Sequence, residues 1–162
     1  MGESDLEKQM IDYFISNKES HYRLAFSYVK NADDALDVVQ ESIYKAISTM
    51  DTLKKPDYLK AWYYKILVNT ALDLLRKRKK LVVVDDEALS NFDSGAFDNY
   101  EEMDLQKALD GLPVQYRSVI VLRFFEDLKI EEIAIILDEN INTIKTRLYK
   151  SLKMLRVKMD DY

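Results

Sequence analysis

Residues 60–80 read KAWYYKILVNTALDLLRKRKK. The run holds no proline or glycine, carries three consecutive aromatics, Trp62 to Tyr64, near its start and closes with five consecutive cations, Arg76 to Lys80. Tyr63, Leu67, Ala71 and Leu74 recur at helical spacing and form an apolar stripe fit to pack inside a bundle. Trp62, Ile66, Asn69, Asp73 and Arg76 fall on the neighbouring face. One long helix over about 60–79 follows, with two decorated faces rather than one. Cations at a helix C-terminus also suit its dipole, so the basic end alone does not separate a polyanion grip from a solvated terminus.

Working outward, the 162-residue chain carries a formal net charge of −5, but the charge is blocky. Residues 54–80 have a balance of +7 and residues 81–110 one of −8, and residues 142–158 hold six basic side chains and no acid. Two basic patches flanking an acidic connector indicate separated functional surfaces. Gly (3) and Pro (2) are scarce and strand-like alternation is hard to find, so the fold expected is all-α. With no cysteine and one histidine, His21, the chain excludes disulfides and thiolate or multi-histidine metal sites. No nucleophile–base pair, Gly-rich phosphate loop or metal cluster emerges, so no enzyme, metal or cofactor is expected. The opening MGESDLEKQM lacks a signal-peptide layout and no run reaches the ~18 apolar residues of a membrane span, which gives a cytoplasmic expectation.

Upstream, residues from about Asp5 to Thr49 read as two helices. The first carries Met10, Tyr13, Phe14, Tyr22, Ala25, Phe26 and Val29. Asn31-Ala-Asp-Asp breaks it, and Asp33 or Asp34 caps the second, whose apolar stripe is Leu36, Val39, Ile43 and Ile47. Met50 to Lys60 is a loop with Pro56 and lysines. Downstream, residues 81–103 read as an acidic flexible linker with a brief extended piece at Val82–Val84. Helical periodicity resumes at Asp104, with Pro113 in the first turn of a following helix, then Ile130–Leu137 and Asn142–Met159.

These last two helices have the rhythm of a helix-turn-helix. Ile133, Ala134 and Leu137 face inward from the first, Ile144, Leu148 and Leu152 from the second, and Asn140 caps the second. Its exposed face would carry Asn142, Thr143, Lys145, Thr146, Arg147 and Lys150. Amides and Arg suit base edges, whereas Lys and Thr suit phosphates. An ordinary helical hairpin with a solvated basic face is the plain alternative.

Taken together, DDALDVVQESIYKAI (Asp33–Ile47), KAWYYKILVNTALDLLRKRKK, LDGLPVQYRSVIVLRFFEDLKIEEIAIIL (Leu109–Leu137) and TIKTRL (Thr143–Leu148) resemble the extracytoplasmic-function (ECF, group IV) sigma factors of the sigma-70 family. The likeness covers about residues 6–158 in the family's order. It implies two small helical domains joined by a linker: residues 1–80 like sigma region 2, residues 81–103 the linker, and residues 104–162 like sigma region 4. On that resemblance the protein is an alternative sigma factor that binds RNA polymerase core through its beta-prime clamp and beta subunits. Asp37, Gln40 and Glu41 would be the polymerase-contacting surface. Lys54, Lys55, Lys60, Trp62, Asn69, Asp73, Arg76, Lys77 and Arg78 would serve the −10 element of promoter DNA. Asn142, Thr143, Lys145, Thr146, Arg147 and Lys150 would serve the −35 element. An anti-sigma factor, often membrane-anchored, is the further partner implied. Where the family usually has Gly and then an apolar residue, this chain has Asp138 and Glu139, and Asn142 replaces a frequent Gly, so an unusual turn is expected before the recognition helix. The competing readings are a stand-alone helix-turn-helix regulator and a helical protein-binding adaptor.

Overall fold

The structure, a computed structural model, describes residues 2–81 and 100–160. The chain divides into two compact units, Met1–Asp85 and Asp86–Tyr162, and all regular structure among the described residues is helical. The expected linker, including Val82–Val84, lies mostly outside the described residues. At its edges, helix extends to Leu81 and resumes at Tyr100 rather than Asp104.

The first unit is built from α1 (Gly2–Ser16), α2 (Lys18–Val29), α3 (Ala32–Ser48) and α4 (Leu59–Leu81). The stretch expected to form one helix from Asp5 is two, parted at Asn17. The Asn17 side-chain amide donates to the Tyr13 carbonyl at 2.9 Å, and such local bonds compete with the helical ladder. Lys30 ends α2 in the left-handed region (φ 59°), its N–H donating to the Phe26 carbonyl. Asn31 then caps α3, its side chain accepting from the Asp34 N–H at 3.2 Å. The cap is therefore Asn31. Asp33 and Asp34 lie two and three positions inside it, where carboxylates favour the positive end of the helix dipole.

The buried face of α3 is not the expected Leu36–Val39–Ile43–Ile47 stripe but Ala35, Val38, Ser42 and Ala46. These small side chains let α2 and α4 approach closely, which turns Leu36 and Ile47 toward solvent (50% and 41% exposed). Between α3 and α4 the expected loop contains two 3₁₀ turns, Met50–Thr52 and Pro56–Tyr58. Of the expected α4 stripe, Tyr63, Leu67 and Ala71 are fully buried and Leu74 is half-buried, with Val68 buried beside them; each fully buried large side chain adds roughly 1.5–3 kcal/mol of burial energy. Tyr63 meets Tyr13, Phe14 and His21 in one aromatic cluster that Tyr64 joins through His21.

The second unit comprises α5 (Tyr100–Asp110), α6 (Val114–Ile120) with a π-helical turn over Val121–Phe125, α7 (Ile130–Leu137) and α8 (Ile141–Asp160). Pro113 stands at the N-cap of α6 rather than inside its first turn. Helix α8 packs against α5, α6 and α7. Its buried face runs through Ile144 and Ser151, with Leu148 and Leu155 half-buried beside them. Leu152 lies about 80° off that line at 100° per residue and is 40% exposed, so its expected inward position is corrected.

Candidate polymerase and nucleic-acid interfaces

On α3, Asp37, Gln40 and Glu41 are all exposed, within about one helical turn on the side away from Ala35, Val38 and Ser42. Glu41 forms a loose surface pair with Lys45 at 3.7 Å, and Lys45 also donates to the Thr70 hydroxyl of α4 at 3.1 Å. Tyr44, 72% exposed, extends the same face by one more turn. Sequence reasoning passed over it, although its position three beyond Glu41 and four beyond Gln40 was the available signal.

On the Trp62–Arg76 face of α4, Asn69, Asp73 and Arg76 are exposed and Trp62 and Ile66 half-buried. Trp62 is half-buried, and its indole N–H donates to the Thr52 hydroxyl at 3.1 Å. That bond ties the aromatic ring to the first 3₁₀ turn of the loop. Thr52, unsuspected in the sequence, therefore sets the ring's orientation. Two turns on, the Asn69 amide is exposed and has no partner among the described residues. Asp73 and Arg76 follow as an exposed ion pair of 2.9 Å, of the helix-surface kind that contributes a few tenths of a kcal/mol. Lys54, Lys55 and Lys60 project from the loop and the start of α4, all exposed.

The basic end is not uniform. Lys77 is exposed, but Arg78 is half-buried and paired with Asp34 in the first turn of α3. It fastens the end of α4 to the start of α3, whereas Lys77 is left for solvent or a polyanion.

In the second unit, Asn140 caps α8, its side chain accepting from the Thr143 N–H at 2.7 Å. The turn before it is ordinary despite its composition. Asp138 takes the left-handed conformation (φ 54°) in which glycine is usual, while the Glu139 N–H reaches the Ala134 carbonyl and the Asp138 N–H the Ile135 carbonyl. This is the Schellman closure, so the expected unusual turn does not arise. Asp is among the few residues that tolerate this backbone region.

Asn142, Lys145, Thr146 and Lys150 stand exposed on the outer side of α8. Tyr149, 72% exposed, lies among them, four residues beyond Lys145, and was also missed. Thr143 and Arg147 sit on the flank, half-buried, with Arg147 Nη2 held by Glu139 at 3.0 Å. Among the described residues, no group of His, Cys, Asp or Glu is placed to hold a metal ion, and no helix is long and apolar enough to cross a membrane.

The sequence matches the family description "Sigma-70 region 2" over residues 14–81 and "Sigma-70, region 4" over residues 102–155. It is 55% identical over 150 residues to the RNA polymerase sigma factor SigV of Bacillus subtilis (strain 168), spanning 93% of this chain and 90% of the relative. The chain belongs to the sigma-70 family. Within it, this is an ECF sigma factor: the ECF RNA polymerase sigma factor SigW of the same organism is 27% identical over 175 residues, 99% of this chain and 92% of the relative. A solved structure of the sigma factor RpoE in complex with the anti-sigma factor NepR from Bartonella quintana superposes with a TM-score of 0.78 at 26% identity. It covers 94% of this chain and 98% of that one. The all-α, two-domain organisation is that of the family. As an ECF sigma factor, the protein directs promoter recognition and transcription initiation.

Proposed function

We propose that the two units divide the task as follows. Residues 1–80 bind RNA polymerase core through Asp37, Gln40 and Glu41 on α3, and open and read the −10 element with the outer face of α4. Residues 104–162 read the −35 duplex with α8. The observation that carries this reading is the Trp62–Asn69–Asp73–Arg76 face. It presents an aromatic ring held by Thr52 and an unpartnered amide two turns on, flanked by exposed cations. Aromatic stacking tolerates any splayed base, and a free amide adds a choice of base edge. Lys54, Lys55, Lys60, Arg76 and Lys77 draw in the phosphate backbone. Arg78 supports this surface from within through Asp34, which narrows its role from DNA contact to scaffold. In α8, Asn142, Lys145, Thr146 and Lys150 approach the major groove.

The protein works as a transcription-initiation subunit in the cytoplasm, with no catalytic residue of its own. An anti-sigma factor is its restraining partner; the complex of the similar RpoE with NepR, and the apolar side chains left exposed on α3, support that reading. The test is run-off transcription with purified core polymerase on a promoter library. Asn69→Ala and Trp62→Ala should impair open-complex formation far more than core binding. Equal loss of core affinity would make both residues structural.

A further inference from the structure

Polar side chains tie α3 and the loop after it to α4 at successive levels: Asp34 to Arg78, Lys45 to Thr70 and Thr52 to Trp62. The middle tie is shared. Lys45 Nζ donates to the Thr70 hydroxyl at 3.1 Å and lies 3.7 Å from a Glu41 carboxylate oxygen, so one ammonium stands between α4 and the outer face of α3. It is a compact charge on a flexible stem, and a shift toward one partner weakens its hold on the other. Thr70 is buried, and its hydroxyl donates in turn to the Ile66 carbonyl at 2.8 Å. A threonine bonded back to the carbonyl four residues earlier bends a helix slightly. Here the bend falls between Trp62 and Asn69, the ring and the amide of the outer α4 face. A hydrogen bond from a cation to the same hydroxyl polarises it and strengthens that back-bond. The hydroxyl that Lys45 holds therefore sets where the Asn69 amide stands relative to the Trp62 ring.

We propose that Lys45 is a positioning residue for the −10 site, acting through Thr70, and that the same ammonium tempers Glu41 toward the polymerase. This rests on the roles given above to α3 and to the outer face of α4. In the free protein Lys45 divides its charge between Glu41 and Thr70. A polymerase cation that pairs with Glu41 displaces Lys45 and leaves the ammonium to Thr70. The Glu41 pair is the looser of the two and exposed, so giving it up costs little. Engagement of core thus firms the placement of Asn69 against Trp62, and by linkage −10 DNA bound on α4 strengthens the hold on core.

The test uses the full chain assembled with core polymerase and a fluorescent single strand carrying the −10 element of a promoter recovered from the run-off library. Core affinity is titrated separately. Lys45→Met, which keeps a stem and removes the charge, should weaken −10 binding about threefold, the scale of one partly exposed hydrogen bond. The same variant should tighten core binding about twofold, because Glu41 loses its internal competitor. A loosened fold cannot produce opposite signs on the two surfaces. Thr70→Val should weaken −10 binding as much without tightening core binding. Combined with Lys45→Met, it should lose no more −10 affinity than either change alone. Lys45→Arg, which keeps a donor, should restore both affinities. Glu41→Gln should weaken core binding yet leave −10 binding unchanged once core is saturating. Unchanged −10 binding by Lys45→Met, or core affinity that does not rise in it, overturns the proposal, as do additive losses in the double variant. If Asn69→Ala and Trp62→Ala also leave −10 binding unchanged, the −10 reading itself fails; if they weaken it and Lys45→Met does not, only the role of Lys45 fails.

Discussion

Lowering the pH from 7 to 5 should destabilise the first unit through one imidazole. His21 is 1% exposed and enclosed by Tyr13 of α1 and by Tyr63 and Tyr64 of α4. Its Nε2 lies 3.3 Å from the Tyr13 hydroxyl. Burial lowers its pKa from 6.5 to about 4. Because the folded-state value is depressed, the unfolded chain binds the extra proton first. Stability is therefore full above pH 6.5 and falls as pH drops toward 4. At pH 5 a shift of this size costs about 2 kcal/mol, since each unit is worth about 1.4 kcal/mol. Urea unfolding followed by the fluorescence of Trp62, the sole tryptophan and part of the same unit, measures the loss. Other groups titrate in this range, so the decisive quantity is the difference from His21→Phe, which should lose about 2 kcal/mol less between pH 7 and 5. As the single histidine, His21 also gives one imidazole signal by NMR, which should remain neutral at pH 5 in the folded protein. An imidazole titrating near 6.5, or identical pH slopes for the two proteins, would refute the argument.

Tyr63→Phe should stabilise the first unit by roughly 1 kcal/mol, because the Tyr63 hydroxyl is buried without a hydrogen-bond partner among the described residues; a lower melting temperature would show that the hydroxyl is satisfied. Arg76→Ala should change stability by only a few tenths of a kcal/mol, whereas Arg78→Ala, which strips Asp34 of its partner, should cost at least about 1 kcal/mol by the same urea assay. The reverse order would mean that Arg78 is not the strut between α3 and α4. Asn140→Ala should lower the stability of the second unit by about 1 kcal/mol and weaken −35 duplex binding with it. Unchanged helicity and affinity in that variant would remove Asn140 as the cap that sets the recognition helix.

The α4 helix was legible because two signals coincided in it: an apolar stripe at Tyr63, Leu67 and Ala71, and a polar face offset from it at Trp62, Asn69 and Asp73. In α3 only the helix was legible. Periodicity favoured the large residues Leu36 and Ile47, but close approach of three helices selected Ala35, Ser42 and Ala46, and size complementarity between helices leaves no trace in one helix's pattern. The same limit explains Leu152, where a run of leucines concealed an 80° offset from Ile144. The division at Asn17 turned on one side-chain bond to Tyr13. The partners of Thr52, Arg78 and Arg147 were hidden for a different reason. Arg78 and Asp34 lie 44 positions apart, and neither composition nor spacing selects one such pairing among the many a charged chain allows. The Asp138 turn shows the converse: an unfavourable residue type did not change the conformation, because the backbone bonds that close it are independent of the side chain.

Charge placement in this molecule follows from what each cation must do while it waits for a ligand. A cation meant for phosphate loses affinity when an internal carboxylate satisfies it, yet an unrestrained one loses side-chain entropy on binding. The chain uses both solutions. Lys54, Lys55, Lys60, Lys77 and Lys145 are exposed on flexible stems, suited to attraction that tolerates imprecise placement. Arginines carry the positional tasks: Arg78 is committed to Asp34 and serves the scaffold, while Arg147 is held at one terminal nitrogen by Glu139 and keeps the rest of its fork. The difference between them lies in where the carboxylate sits. Asp34 sits within the first unit's own helix packing and closes a contact between α3 and α4. Glu139 sits in the turn that enters the recognition helix, beside a cleft with room for an anion. A net charge of −5 is therefore compatible with binding DNA, because a carboxylate beside a basic face can orient a cation instead of cancelling it, as Glu139 does for Arg147.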